Sequence, residues 1–404
     1  MTNAILADLD ATRSAREELY KWFHQHAEIS MQEDETRARI HEELEKIGFD
    51  VQEIGGGVVG TFHNGEGATV MARADFDGLP VQDQSGKDYG VPERTVVNKE
   101  TGETVHTMHA CGHDFHITSL LSTAAALVAH KDAWSGTFIA LFQPGEELAL
   151  GAQSMVDDGL VDKVEKPDVV LVQHVMSIPA GAVELKAGPT LSSSFSVEVT
   201  LPGAGTHGSM PEKGIDPVVL ASNVVMQLQT IVSRRTAISE PALLTVGAIH
   251  AGSVANTISD HATLLINTRS YSEAESKLLR TEIERITRAA CQGAGSPSEP
   301  TFRYYANYPL TVNDADATAK VAASFREFYG DKFIDLDKPQ SASEDFSIIP
   351  NAFGVPYVYW MWGGFEDLST AYGNHSPFFA PDLQPTLDTG LQNIIVAASN
   401  WLQK

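Results

Sequence analysis

Apolar residues recur at helical spacing through the first fifty positions, where Ile5, Leu9, Leu19, Trp22 and Phe23 share one face. The pattern predicts two helices. Ser30 and Glu33 open the second as a capping box, and Gly48 ends it after Ile47. Short apolar runs then alternate with helical stretches. TVMAR (69–73) runs into Asp75 and Asp77, GTFIALF (136–142) into Gln143 and Pro144, and PDVVLVQH (167–174) closes on His174. Residues 115–130 read as a buried helix between them. This alternation predicts an α/β fold with a mostly parallel sheet.

The pattern changes near residue 190. SFSVEVTL (194–201) alternates strictly, with Phe195, Val197, Val199 and Leu201 on one face, as in a half-buried antiparallel strand. A helix over 216–235, strands at 243–251 and 262–271, and a helix from Ser272 to about Ala290 follow. GAGSPSEP (293–300) is a loop, after which strand and helix signals resume. The expected organisation is a discontinuous catalytic domain, residues 1–189 and 302–404, carrying an inserted α+β domain over 190–301. No internal repeat occurs.

Composition narrows the function classes. There are 53 acidic and 28 basic residues among 404, a net charge of −25, so nucleic acid and anionic membranes are poor partners. Two cysteines, Cys111 and Cys291, cannot build a disulfide framework. The longest apolar stretch is about ten residues, against the ~20 a membrane helix needs. Asp8 and Asp10 interrupt the N-terminus where a signal peptide needs an apolar core. A cytoplasmic protein is expected.

Metal-type residues gather at predicted strand ends. MHACGHDFH (108–116) packs His109, Cys111, His113, Asp114 and His116 together, and in an extended chain Cys111 and His113 face one side. A thiolate and an imidazole there suit a borderline-soft divalent metal. Glu146 and Glu147 follow FQPG; neighbouring carboxylates diverge in extended chain, so one can bind metal while the other holds a proton. His174 and His375 complete an inventory that suits two ions sharing a bridging ligand and a water. Two G-x-G-x-x-G matches, starting at Gly55 and Gly203, lack the helix that a dinucleotide site requires directly after the motif. No G-x-S-x-G elbow marks a serine hydrolase.

These motifs together resemble the metal-dependent aminoacylase and carboxypeptidase family, in the branch of hippurate hydrolase and the indole-acetyl-amino-acid hydrolases. The likeness spans nearly the whole chain: FHQHAEISMQEDET (23–36), RADFDGLP (73–80), MHACGHD (108–114), FQPGEE (142–147), GAGTHGSMPEKGIDP (203–217), SVANTIS (253–259), SEDF (343–346) and GNHSPFF (373–379). Ala27, Gly78, Thr206 and Gly208 depart from the usual motif residues. The resemblance implies a catalytic domain with a dinuclear centre, Zn²⁺ before Mn²⁺ or Co²⁺, and an inserted lid through which the protein forms a homodimer. It implies Cys111, His113, Glu147, His174 and His375 as ligands, Glu146 as general base and Asp77 as the aspartate orienting a ligand. It further implies His207 polarising the scissile carbonyl across the dimer, with Asn256 and Arg269 holding the substrate carboxylate. The implied reaction is amide hydrolysis of an N-acyl amino acid. A dipeptidase or carboxypeptidase, a non-catalytic metal-dependent binding protein, and a hydrolase using Cys111 as nucleophile are the alternatives. Residues 86–107 are longer than the family usually has there and are expected to reshape the substrate mouth.

Overall fold

A computed structural model describes residues 1–404, which divide into two compact units. Unit one comprises Met1–Thr190, Val312–Lys338 and Asp345–Lys404; unit two comprises Leu191–Thr311 and Pro339–Glu344.

Unit one is built on an eight-stranded sheet. Its strand order is Asp50–Ile54, Gly57–Asn64, Gly136–Gln143, Thr69–Asp75, Val169–Pro179, Tyr357–Phe365, Val183–Leu185, Phe333–Asp335. The four central strands run parallel, and antiparallel strands flank them. The fold class read from the alternating pattern is therefore the one observed. Every residue of Gly136–Gln143 and of Thr69–Asp75 is buried, as expected where helices cover both faces of a parallel sheet. The helix His113–Ala129 is buried around most of its circumference, and Phe115, Leu120, Leu121 and Leu127 enter the main core.

Three local expectations are corrected. The strand through His174 does not close there: Val175 pairs onward with Trp362 and the strand runs to Pro179, so His174 sits mid-strand. Cys111 and His113 do not lie in extended chain. Gly112 is left-handed (φ +82°), and His113 is already the first residue of its helix. A side chain at 112 would put its Cβ 2.3 Å from Val175 Cγ1, so only glycine makes this turn. Ser30 and Glu33 form no capping box either; the helix Asp34–Ile47 receives no cap bond from its N-cap residue. Glu28 accepts from the Glu35 and Thr36 amides instead, at 3.2 and 2.8 Å.

Unit two is an antiparallel sheet ordered Ala242–Ala251, His261–Ser270, Ser193–Pro202, Thr301–Tyr308. The alternation read in 194–201 buries Phe195, Val197, Val199 and Leu201 against Leu220, Leu228, Leu279 and Ile283 of the helices Pro217–Arg234 and Glu273–Ala294. Asp216 and Ser272 cap those two helices. No helix of the chain is long and apolar enough to cross a membrane.

Candidate metal centre

The parallel strands deliver charged side chains to their carboxyl ends, where α/β sheets usually place their sites. Asp75 ends one strand, and Asp77 follows two residues later. Glu146 and Glu147 lie in a single 3₁₀ turn after the strand Gly136–Gln143, not in extended chain. That turn depends on Gly145, whose φ of +56° is a left-handed conformation that residues with a Cβ rarely adopt.

Five of the residues read as ligands converge. The ligand atoms of Cys111, His113 and His174 lie within 4.8 Å of one another, and so do those of Cys111, Glu147 and His375. His113, Glu146 and Glu147 form a third such group. Cys111 Sγ is 3.4 Å from His174 Nε2, and Glu147 Oε1 is 3.3 Å from His375 Nε2.

Hydrogen bonds fix which imidazole nitrogen is presented. His113 Nδ1 meets two acceptors, Asp77 O at 2.9 Å and Asp77 Oδ1 at 3.1 Å, so it carries the proton. Its Nε2 is buried without a hydrogen-bond partner, an arrangement that suits a metal ligand. His174 Nδ1 donates to Val175 O at 2.8 Å and likewise leaves Nε2 for coordination. The surroundings favour positive charge. Burial alone would lower the His113 pKa, but Asp75, Asp77 and Glu147 raise it to about 10. Burial and the carboxylates of Glu147, Glu146 and Asp75 push the Cys111 thiol well above its usual range. A divalent cation supplies the charge that this donor set lacks, so the residues fit a metal.

Asp77 ties the ligand segments together. Besides holding His113, its Oδ2 accepts from Ser30 Oγ at 2.6 Å and from the Glu147 amide at 3.0 Å. Glu33, pushed to about 8 by burial and by Asp77, accepts the Gly145 amide at 2.8 Å. Asn374 Nδ2 donates to Cys111 O and Val175 O, both at 3.2 Å, next to His375. Ser30, Glu33 and Asn374 were not legible as site residues. Their segments, 23–36 and 373–379, carry family motifs, but the capping-box spacing masks the roles of Ser30 and Glu33 and only adjacency to His375 points to Asn374. The segment 86–107 packs along residues 27–34: Arg94 Nε donates to Ala27 O at 3.2 Å, and the Lys99 amide to Gln32 Oε1 at 3.0 Å.

His207, Asn256 and Arg269 belong to unit two. His207 is exposed on a two-residue strand paired with Thr257 and Ile258, and the Gly208 amide donates to Asn256 O at 2.7 Å. Arg269 Nη1 donates to Ser341 O and Ser343 Oγ at 2.9 and 2.8 Å.

Residues 71–395 match the profile of peptidase family M20/M25/M40. The chain belongs to this family. It is 34% identical over 352 residues to the hippurate hydrolase of Campylobacter jejuni, covering 85% of this chain and 87% of that one. It is 31% identical over 359 residues to an IAA-amino acid hydrolase of Arabidopsis thaliana, covering 88% and 78%. The solved structure of a Bacillus subtilis dinuclear metal-binding M20 peptidase superposes with a TM-score of 0.75 at 24% identity, covering 96% of this chain and 98% of that one, and shares the fold. This M20-family chain is thus a hydrolase of the amidohydrolase and metallopeptidase class.

One buried network lies beside the centre of this M20 chain. His24 Nδ1 is 2.8 Å from Asp114 Oδ2, and its Nε2 is 3.4 Å from Asp83 Oδ2. Burial would lower the His24 pKa, but the two aspartates raise it to about 9. A folded-state pKa above the unfolded ~6.5 adds stability below pH 6.5 that is lost as pH rises through 9. At ~1.4 kcal/mol per pKa unit the whole effect is about 3 kcal/mol. Urea unfolding of the chelated protein at pH 6 and pH 9.5 should show a loss larger by about this amount in wild type than in His24→Gln, which keeps only the loss that belongs to His113. Parallel pH dependence in the two proteins would exclude the charge on His24.

Proposed function

We propose that the protein hydrolyses the amide of N-acyl amino acids with a large apolar acyl group, releasing a carboxylic acid and an amino acid. The observation that carries this reading is the convergence of Cys111, His113, Glu147, His174 and His375, with Glu146 beside them. In this reading those five residues would hold two divalent ions, Zn²⁺ first. When bound, the ions polarise the carbonyl and acidify a water. Glu146 accepts the proton of the attacking water and passes it to the departing nitrogen. Asp77 keeps His113 and the Glu147 turn in register.

An apolar rim supports the acyl preference. Met31 packs on Gly145, Leu148 follows Glu147, and the rings of Tyr372 and Phe378, three positions before and after His375 in sequence, lie tilted with centroids 4.9 Å apart. Each is at least 40% exposed. Such side chains favour an aryl or alkyl group, at about 25 cal/mol per Å² covered. A panel of N-benzoyl, N-acetyl and long-chain N-acyl amino acids and dipeptides tests this. N-benzoyl or long-chain substrates should have the highest kcat/KM. Preference for N-acetyl substrates would remove the apolar acyl group, and preference for dipeptides would remove the acyl-amino-acid reading.

The unit carrying His207 is proposed to form a homodimer through residues 190–301. There His207 polarises the carbonyl in the partner subunit's site, and Asn256 and Arg269 hold the substrate carboxylate. The Ser209 amide donates to His207 Nδ1 at 3.1 Å, which leaves the proton on Nε2, as a carbonyl donor requires. His207→Ala and Glu146→Gln should each be nearly inactive. Refolded together in equal amounts they should recover roughly a quarter of active sites, because half the dimers are mixed and each holds one complete site. No recovery, with mixed dimers verified by mass spectrometry, would exclude the cross-subunit role. Both cysteines are free, which supports the cytoplasm as the compartment.

A further inference from the structure

His116 lies one helical turn beyond His113, is fully enclosed, and has no part in the reaction described above. Its side chain falls in a potential ligand group with Asp75 and His113. Both ring nitrogens are nevertheless already engaged. The Val175 amide donates to Nε2 at 3.0 Å; a backbone N–H can only donate, so Nε2 carries no proton. The proton therefore sits on Nδ1, which donates to Asp75 Oδ1. Asp75 Oδ2 accepts in turn from Arg73 Nη1 at 2.7 Å.

The acceptor on Nε2 acts on the residue next to a ligand. The Val175 carbonyl receives His174 Nδ1 at 2.8 Å and Asn374 Nδ2 at 3.2 Å. The ring of His174 is thus anchored to a backbone segment whose preceding amide is held by His116. If that segment rotates, the Nδ1 bond and the aim of Nε2 toward Cys111 Sγ rotate with it.

We propose that His116 is a positioning residue for the half of the metal centre built on His174. Through the Val175 amide it sets the orientation of His174, and the chain Arg73–Asp75 holds His116 in the tautomer that can do so. This rests on the reading that His174 is a metal ligand. Partners of this kind change metal affinity by about 10–100-fold.

The test uses the full chain, stripped by chelator and titrated with Co²⁺, with stoichiometry, affinity and the visible d–d spectrum read together. His116→Asn keeps a donor for Asp75 but falls short of Val175. His116→Gln extends a carbonyl oxygen to about the depth of Nε2. The Asn variant should bind one Co²⁺ about 10–100-fold more weakly, with a changed d–d band, while the other ion binds as in wild type. The Gln variant should recover most of the loss. Wild-type affinity in the Asn variant would overturn the proposal. So would equal losses in both variants that follow a drop in the melting temperature of the stripped proteins. His174→Ala separates the underlying reading: if it keeps both ions at wild-type affinity, His174 is not a ligand, whatever His116 does. A measurement on the wild type does not depend on whether a variant folds. In ¹⁵N-histidine spectra of the stripped protein, His116 should show a protonated Nδ1 and an unprotonated Nε2, and the opposite tautomer would overturn the proposal.

Discussion

Removal of metal by a strong chelator is expected to abolish hydrolysis, and Zn²⁺, Mn²⁺ or Co²⁺ to restore it. The reason lies in the donor set. His113 presents a buried nitrogen with no hydrogen-bond partner, and the Cys111 thiol is held protonated by burial and by three neighbouring carboxylates. Without a cation these groups cannot activate water at neutral pH, whereas a bound divalent ion lowers the pKa of water from 15.7 to about 7. A rate that survived complete stripping, checked by elemental analysis, would exclude the metallohydrolase reading. The alternative of a Cys111 nucleophile meets the same thiol. A nucleophilic cysteine needs a lowered pKa, and this environment raises it. Inhibition by alkylation alone, with no effect of chelation, would be needed to reinstate it.

The second large effect separates two adjacent residues. Glu146→Gln should keep its metal and lose at least about 10²-fold in kcat, the scale of a positioned acid–base group. Glutamine preserves shape and hydrogen bonding but takes up no proton from water. Glu147→Gln should lose metal as well as activity. Glu147 Oε1 lies 3.3 Å from His375 Nε2 and 4.0 Å from His113 Nε2, between the two ligand groups. Glu146 shares a potential group with His113 and Glu147, and none with Cys111 or His375. Metal analysis of both variants decides the assignment: metal lost from Glu146→Gln and retained by Glu147→Gln would exchange the roles.

Much of the architecture was legible because it is written in periodicity. The burial of Phe195, Val197, Val199 and Leu201 follows their alternation, and the mostly apolar run at 136–142 forms a fully buried strand. What could not be read was where long-range partners override local chemistry. Ser30 and Glu33 have the spacing of a capping box, yet Asp77 and Gly145, more than forty and a hundred positions away, claim their side chains. The reach of the strand beyond His174 was hidden for the same reason, since Trp362 extends the pairing. Extended chain would also set Cys111 and His113 on one side, but here a left-handed glycine and a helix start bring them together. The segment 86–107 reaches residues 27–34 through Arg94 and Lys99, and Asp382 through Lys87 Nζ at 3.4 Å, contacts that its own polar composition does not announce.

The bond from Asn374 to the Cys111 carbonyl spans 263 positions of sequence. An ion held by Cys111 and His375 would fasten the two ends of that span directly, like a clasp on a long loop. Closing such a loop costs chain entropy that grows only with the logarithm of its length, so one ion can secure a very large excursion. The free energy of metal binding then belongs to the fold as much as to the reaction, because the unfolded chain offers no assembled site. The cell's supply of the ion would therefore set how much of this chain stays folded, as well as how fast it works.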